Sequence, residues 1–115
     1  MDYCGELKVL DLGQLRVACQ GNSQLMSELI SLLVSDSLEQ LSTLEAAVQR
    51  GDTRECLRVA HYLKSACAAA GAQALAAALE DFEASAKAAD LPTCRNDISV
   101  LRRELNRLSV EAGSF

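Results

Sequence analysis

The sequence predicts an all-α fold, an antiparallel up-down-up-down four-helix bundle with a short extra helix at its N-terminal end. Leu and Ala, both strong helix formers, make up about a third of the 115 residues, whereas only 3% are aromatic. Apolar residues recur at steps of three and four along four long segments, as on one buried helix face. Glycines and one proline separate these segments by short loops, which favours antiparallel neighbours.

The first predicted helix is short, covers residues 10–19 and is expected to close one end of the bundle. After a turn, either Asn22 or Ser23 can cap the next helix through a side-chain oxygen. That second helix is predicted over residues 23–50, and Gly51 ends it. Its inward stripe consists of Met26, Ile30, Leu33, Ser37, Leu41, Leu44 and Val48.

The third and fourth helices, predicted over residues 53–70 and 72–89, are rich in Ala. Asp52 is expected to cap the third helix, and Gly71 ends it. Small side chains on both helices allow a close approach between them and leave a smooth outer surface.

The fifth helix is predicted over residues 92–110, because Pro92 is tolerated in a first helical turn. The tail from Glu111 is expected to be frayed. The length fits one core, so we expect residues 1–115 to form a single domain. The methionine start and the lack of a linker favour a free-standing protein over a domain cut from a longer one, although the sequence leaves both open.

Charge and composition exclude several function classes. The net charge of −5 and the lack of basic clusters and aromatic platforms argue against nucleic-acid binding. The longest uncharged run, residues 65–79, is shorter than the roughly 18–20 residues of a membrane span, and the polar start is no signal peptide. We therefore expect a cytoplasmic protein without membrane contact.

The cysteines are odd in number and form no CxxC pair, which argues against a zinc site. We expect small, buried or half-buried thiols in a reducing compartment. They are Cys4, Cys19, Cys56, Cys67 and Cys94.

His61, the single histidine, is predicted to face solvent, because it lies roughly 140° from the centre of the apolar stripe of its helix at about 100° per residue. Lys64 lies about one turn on, to the side. An exposed imidazole beside an ammonium group suits nucleophilic attack on phosphorus, with Lys64 stabilising the phosphoryl oxygens. The residues that share the face of the histidine are Arg54, Arg58, Ser65 and Ala68.

Three motifs surround this histidine: AHYLKSA at residues 60–66, Gly-Ala at residues 71–72 followed by Leu75, and Phe-Glu at residues 82–83. Together they resemble the histidine-containing phosphotransfer (HPt) domain family, whose pattern is approximately A-H-x-L-K-G-(small), then G-A-x-x-L, then L-E. The layout of nearly the whole chain is similar as well. Ser65 stands where the family commonly has Gly, and Phe82 where it usually has Leu.

The resemblance implies a phosphorelay protein that accepts a phosphoryl group on His61 from a receiver aspartyl phosphate and passes it to a response-regulator aspartate. It implies receiver domains and a hybrid sensor histidine kinase as partners, with Mg²⁺ on the receiver and no cofactor in this chain. Small Ser65 and Ala68 would leave room for a partner, while Arg54 and Arg58 are expected to act as docking charges. We expect a monomer.

Without a P-loop or a Gly-rich nucleotide loop, the chain is expected to be a phosphoryl carrier with no ATP site and no autokinase activity.

One further hypothesis is open, and a second is disfavoured by the predicted stripes. The chain could be a non-catalytic helical module that docks a receiver or a kinase without carrying phosphate. A bundle that holds a metal or haem would need inward His or Glu pairs, which the predicted stripes lack; Glu80 and Glu83 are expected on the bundle surface. Some apolar residues of the segment 29–38 are expected to be surplus to one core, namely Leu32, Val34 or Leu38, and they could form a partner or dimer surface.

Overall fold

The computed structural model describes residues 7–113, which form five helices and contain no strand. Helices α2 and α3 coincide with the ranges expected from the sequence. Helices α1 and α4 are shorter than the expected ranges 10–19 and 72–89, whereas α5 starts one residue earlier than the expected range 92–110 and ends two residues later. The helices are α1 (Leu12–Ala18), α2 (Ser23–Arg50), α3 (Thr53–Ala70), α4 (Gln73–Lys87) and α5 (Leu91–Ala112).

The four long helices pack side by side around one apolar core. Each contacts two neighbours, in the order α2, α3, α4, α5 and back to α2, while α1 packs on α2 and α3. Phe82 of α4 is the largest fully buried side chain, and Leu residues from the other helices surround it in the same core. The four long helices therefore form a ring, and each side of the ring is the contact between two neighbouring helices.

Side-chain caps fix where most of the helices begin. Asn22, Asp52 and Asp90 each accept a hydrogen bond from the backbone N–H three residues later, which satisfies one of the free donors of a first turn. Helix α4 has no such cap, since Ala72 precedes it. The N–H of Ala74 instead donates to the carbonyl of Lys8 at 2.9 Å. The segment before α1 thus takes the place of a cap for α4.

Gly71 joins α3 to α4 and touches the same N-terminal segment. Its φ is +90°, and a Cβ at this position would lie 2.8 Å from the carbonyl oxygen of Asp11. The Asp11 N–H donates to the Gly71 carbonyl at 2.8 Å, and the Gln14 side chain donates to the Ala68 carbonyl. Only a glycine allows the two backbones to come this close.

We expect Gly71→Ala to lower the free energy of unfolding by about 2–4 kcal/mol, since strain at positive φ adds to a backbone clash. Gly21→Ala is the matched control, because Gly21 has a φ of +76° but a Cβ added there would have nothing within 4 Å. The control should cost only about 1 kcal/mol. Urea denaturation of both variants measures the difference; equal losses would mean that the contact with Asp11 contributes nothing.

The described cysteines are buried, and burial keeps their thiols protonated. Cys19, Cys56, Cys67 and Cys94 are free and buried, as the sequence predicts, while Cys4 lies outside the described residues. Desolvation raises the pKa of Cys56 to about 11 and that of Cys67 to about 12. These thiols therefore stay protonated and act as small apolar groups.

Two glutamates are buried, whereas the sequence predicts that no carboxylate points inward from the helical stripes. Glu83 and Glu104 are each 8% exposed. Glu104 accepts two hydrogen bonds of 3.0 Å from Arg107, so its charge is paired. Among residues 7–113, no group of three or more His, Cys, Asp or Glu side chains could hold a metal ion. No helix in this part of the chain has the length and apolar character needed to cross a membrane.

Candidate functional site

The rotation of α3 about its axis determines where His61 points. Apolar residues of this helix, among them Val59, Leu63 and Cys67, are almost fully buried and face the core. The His61 side chain lies away from them and is 70% exposed. The prediction that the histidine faces solvent is therefore confirmed by its exposure.

One carboxylate of α4 lies beside both His61 and Lys64. The Nδ1 atom of His61 is 3.4 Å from Oε2 of Glu83, and the Nζ atom of Lys64 is 2.5 Å from Oε1 of the same group. The first distance is somewhat longer than an ordinary N–H···O hydrogen bond, whereas the second is short. Glu83 thus connects the histidine and the lysine across the contact between α3 and α4.

Glu83 is the site residue for which the prediction from the sequence is wrong. It is expected to support the bundle surface, yet its side chain is only 11% exposed. It follows Phe82, whose ring is fully buried. The turn of α4 that carries both residues therefore lies in the contact with α3. The signal in the sequence is the Phe-Glu pair itself, in which a charged residue adjoins the apolar stripe.

The charges at this site reinforce one another. Burial alone would raise the pKa of Glu83, but the hydrogen bond and charge of Lys64, followed by those of His61, hold it below its ordinary value. The hydrogen bond to Glu83 raises the pKa of Lys64 above its ordinary value. At neutral pH the pair is therefore an ammonium and a carboxylate.

The geometry assigns different surroundings to the two nitrogens of the imidazole. Nδ1 faces the Glu83 carboxylate, which favours the tautomer with the proton on Nδ1. Nε2 has no hydrogen-bond partner among the described residues, so its lone pair is free for an incoming electrophile. Many group-transfer sites use an imidazole in which a carboxylate orients one ring nitrogen while the other ring nitrogen reacts.

We expect the stabilising effect of Glu83 to disappear in acid. A carboxylate with a lowered pKa stabilises the fold above its ordinary pKa, and this contribution is lost as the pH falls through the lowered value. The difference in Tm between the protein and Glu83→Gln should therefore shrink between pH 7 and pH 3. Asp81→Asn, an exposed change on the same helix, is the control. A Tm difference that is the same at both ends of this range would contradict the ion pair.

The other predicted site residues lie on the exposed side of α3. Ser65 and Ala68 are exposed one and two turns beyond His61, and Arg54 is exposed nearly two turns before it. Arg58 is held by two hydrogen bonds of 2.8 Å to Glu55. Its guanidinium is therefore fixed in place and is still 67% exposed.

An apolar depression of about 580 Å³ adjoins the histidine on the side of α2. Tyr62, the residue after His61, lies at its edge, and its hydroxyl donates a hydrogen bond of 2.6 Å to Asp36. This hydrogen bond raises the pKa of Tyr62. Leu32, at 67% exposure, is the most exposed of the large apolar lining residues. Of the surplus apolar residues of α2, Leu32 therefore lies next to the site, whereas Leu38 lines a groove at the contact between α2 and α5.

A family model described as the Hpt domain matches residues 28–111, which include α3, α4 and the whole constellation around His61. The chain belongs to the Hpt domain family. An Hpt member of known structure is similar over most of its length: the histidine-containing phosphotransfer protein B (HptB) of Pseudomonas aeruginosa PAO1. The two chains are 27% identical with a TM-score of 0.85, and the match covers 92% of each. No curated protein sequence matches this Hpt chain.

Proposed function

We propose that this chain is the histidine phosphotransfer protein of a multistep phosphorelay and carries the phosphoryl group on His61. The observation that carries the proposal is the exposed imidazole, with Nδ1 beside Glu83 and with no hydrogen-bond partner for Nε2 among the described residues. Membership of the Hpt family supports it, since proteins of this family are phosphocarriers rather than kinases. Receiver domains and kinases of phosphorelays are the partners of that family.

The transfer is a displacement at phosphorus between two carriers. The Nε2 lone pair attacks the aspartyl phosphate of a receiver, an N–P bond forms and the bond between phosphorus and the aspartate oxygen breaks. The aspartate leaves as a carboxylate, while the imidazole becomes cationic and keeps its proton on Nδ1. Glu83, 3.4 Å from Nδ1, stabilises that positive charge. The reverse displacement delivers the group to the aspartate of a second receiver.

Lys64 is proposed to stabilise the phosphoryl oxygens during transfer. Its ammonium group is held by Glu83 on the side where His61 lies, so it can reach the phosphoryl group by a rotation of its flexible side chain. In the resting protein Glu83 keeps this cation close to the histidine.

We expect Lys64→Ala to slow transfer from a phosphorylated receiver about tenfold, because one cation that balances the charge of the transition state is lost at an exposed site. Binding of the unphosphorylated receiver should change less than twofold. Rapid-quench phosphotransfer and isothermal titration measure the two quantities. Lys87→Ala, which removes an exposed lysine from the last turn of α4, is the control. An unchanged transfer rate would remove Lys64 from the mechanism.

We further propose that receivers dock on the surface around His61. Ser65 and Ala68 are small and exposed, which supports close approach of a partner along α3. Exposed Arg54 and Arg58 would attract the acidic site of a receiver. The apolar depression beside Tyr62 extends this surface toward α2 and offers an apolar contact next to the reacting nitrogen.

The proposal assigns no ATP site, no autokinase activity and no cofactor to this chain, and it places the Mg²⁺ on the receiver. It also describes a cytoplasmic monomer that obtains its phosphoryl group from a hybrid sensor histidine kinase. Family membership supports the role of a phosphocarrier, and the absence of nucleotide-binding motifs in the sequence supports the lack of an ATP site.

The arrangement of the chain belongs to the same proposal. The long helices would run alternately up and down, which is supported by connections of only two or three residues between helices that pack side by side. Residues 1–115 would form one domain, which is supported over the described residues by a single shared core.

The alternative is a helical module that docks a receiver or a kinase without carrying phosphate. Incubation with a phosphorylated receiver separates the two functions. A carrier acquires phosphate that is labile in acid and stable in base, as expected for phosphohistidine, whereas the docking module stays unlabelled. Because aspartyl phosphate is labile in base, residual receiver does not imitate the expected result.

A further inference from the structure

A second surface lies on the side of the helix ring opposite the histidine. His61 and Glu83 are on α3 and α4, and the contact between α2 and α5 closes the other side of the ring. A groove of about 980 Å³ follows this contact. It extends from Leu38 to Gln49 along α2 and from Arg95 to Ser109 along α5. At 1.5 Å per residue these stretches are about 17 Å and about 21 Å long, or three to four helical turns.

The floor of the groove is apolar. Its lining includes buried side chains of both helices and the half-exposed Leu38, whose exposure is 54%. In helix-in-groove recognition, the apolar stripe of a third helix contacts apolar side chains that are spaced in this way along two neighbouring helices. The apolar lining residues are Leu38, Leu41, Val48, Ile98 and Leu105.

The rim of the groove has the opposite charge to the chain as a whole. Arg95, Arg102 and Arg103 line it against a single carboxylate, Glu45, whereas the net charge of the chain is −5. Glu45 pairs with Arg102 across the groove at 2.5 Å, and Arg103 is 3.7 Å from Glu104. Arg95 has no ion pair among the described residues. The rim therefore carries positive charge that the carboxylates of the described residues do not fully neutralise.

We propose that this groove binds an amphipathic helix of three to four turns from a partner protein, with an apolar stripe flanked by carboxylates. The apolar stripe would cover the floor while the carboxylates pair with the arginines of the rim. A second copy of this chain fits less well, because a symmetric dimer through this face would bring the two sets of arginines together. Since the groove and His61 are on opposite sides, the helix and a receiver can be bound at the same time.

The test uses a fluorescein-labelled synthetic helix of 18 residues with Leu at helical spacing and Glu at the flanking positions. A second peptide has Lys at the same flanking positions. Fluorescence anisotropy with the full chain should give a Kd at least tenfold lower for the Glu peptide than for the Lys peptide. Equal affinity of the two peptides, or no binding of the Glu peptide, would overturn the proposal.

Paired variants locate the binding site. Arg95→Ser with Arg103→Ser should weaken binding of the Glu peptide at least tenfold. Arg16→Ser with Lys87→Ser changes the net charge equally at exposed sites outside the groove and should alter the Kd less than twofold. Equal losses in both pairs would show non-specific attraction and overturn the proposal. Circular dichroism confirms that each variant is folded.

Three further measurements separate this groove from the phosphotransfer site and from self-association. The Glu peptide should bind His61→Gln with unchanged affinity, and a saturating amount of it should leave the phosphotransfer rate of the protein unchanged. Competition with the receiver would place the peptide on the histidine face instead. A dimer in sedimentation equilibrium that Leu38→Arg dissociates would assign the groove to a second copy. Either result would contradict the proposal.

Discussion

We expect His61→Gln to abolish phosphoryl transfer and to leave the fold intact. The single histidine provides the only imidazole of the chain, and a glutamine amide has no nucleophilic lone pair for attack on phosphorus. Because the side chain is 70% exposed, the substitution removes no core contact, and we expect the Tm to change by less than about 2 °C. Transfer of radioactive phosphate from a phosphorylated receiver, separated by gel electrophoresis, measures the loss.

Two controls make this experiment decisive. Asn96→Gln places the same new side chain at an exposed position of α5 and should transfer phosphate at the normal rate. Phosphoramidate, a small phosphodonor, labels an accessible histidine without a receiver and tests the chemistry apart from docking. If His61→Gln still acquires acid-labile phosphate from either donor, another residue is the acceptor and our assignment is wrong.

The exposure of His61 could be predicted from the sequence because helical periodicity is a local property. Once Leu57, Leu63 and Cys67 mark the buried direction of α3, the angle to every other residue of that helix follows. Two of these three residues are buried in the structure and Leu57 is half-buried, so the predicted direction is nearly right. The start of α2 and the end of α3 are predictable for a similar reason, since a cap or a terminal glycine is a local signal.

The role of Glu83 could not be predicted in the same way, because it depends on a contact between two helices. Periodicity places Glu83 at the margin of the apolar stripe of α4, where a glutamate is usually solvated. Its burial requires that α3 pack closely over this margin and that Lys64 supply the opposite charge. Neither the rotation of α4 against α3 nor the direction of the lysine side chain is encoded in a window of one helix.

The start of α4 shows the same limit for the backbone. A sequence without Ser, Thr, Asn or Asp before the helix gives no side-chain cap, and the expected start at residue 72 follows from the end of α3 alone. The structure supplies the missing acceptor from a distant segment, the carbonyl of Lys8. The close approach of Gly71 to Asp11 is likewise a long-range contact, although the glycine itself is predictable as a helix end.

Ala68→Trp is expected to reduce phosphoryl transfer from a receiver at least thirtyfold while His61 stays reactive. Ala68 is exposed and lies about 10 Å along α3 from the histidine, two turns away on the same face. An indole there occupies the space that a docked receiver needs, and the steric clash moves the aspartyl phosphate out of line with Nε2. The ring is too far along the helix to cover the imidazole itself.

The comparison of two donors separates docking from chemistry in this variant. Labelling by phosphoramidate should stay within twofold of that of the unchanged protein, because a small donor needs no docking surface. Ala46→Trp, at an exposed position of α2 outside the site and the grooves, should transfer normally with both donors. If Ala68→Trp still accepts phosphate from the receiver at the normal rate, the receiver does not cover this part of α3. Slower labelling by both donors would instead mean that the indole disturbs His61, and the small side chain would then matter for the histidine rather than for the partner.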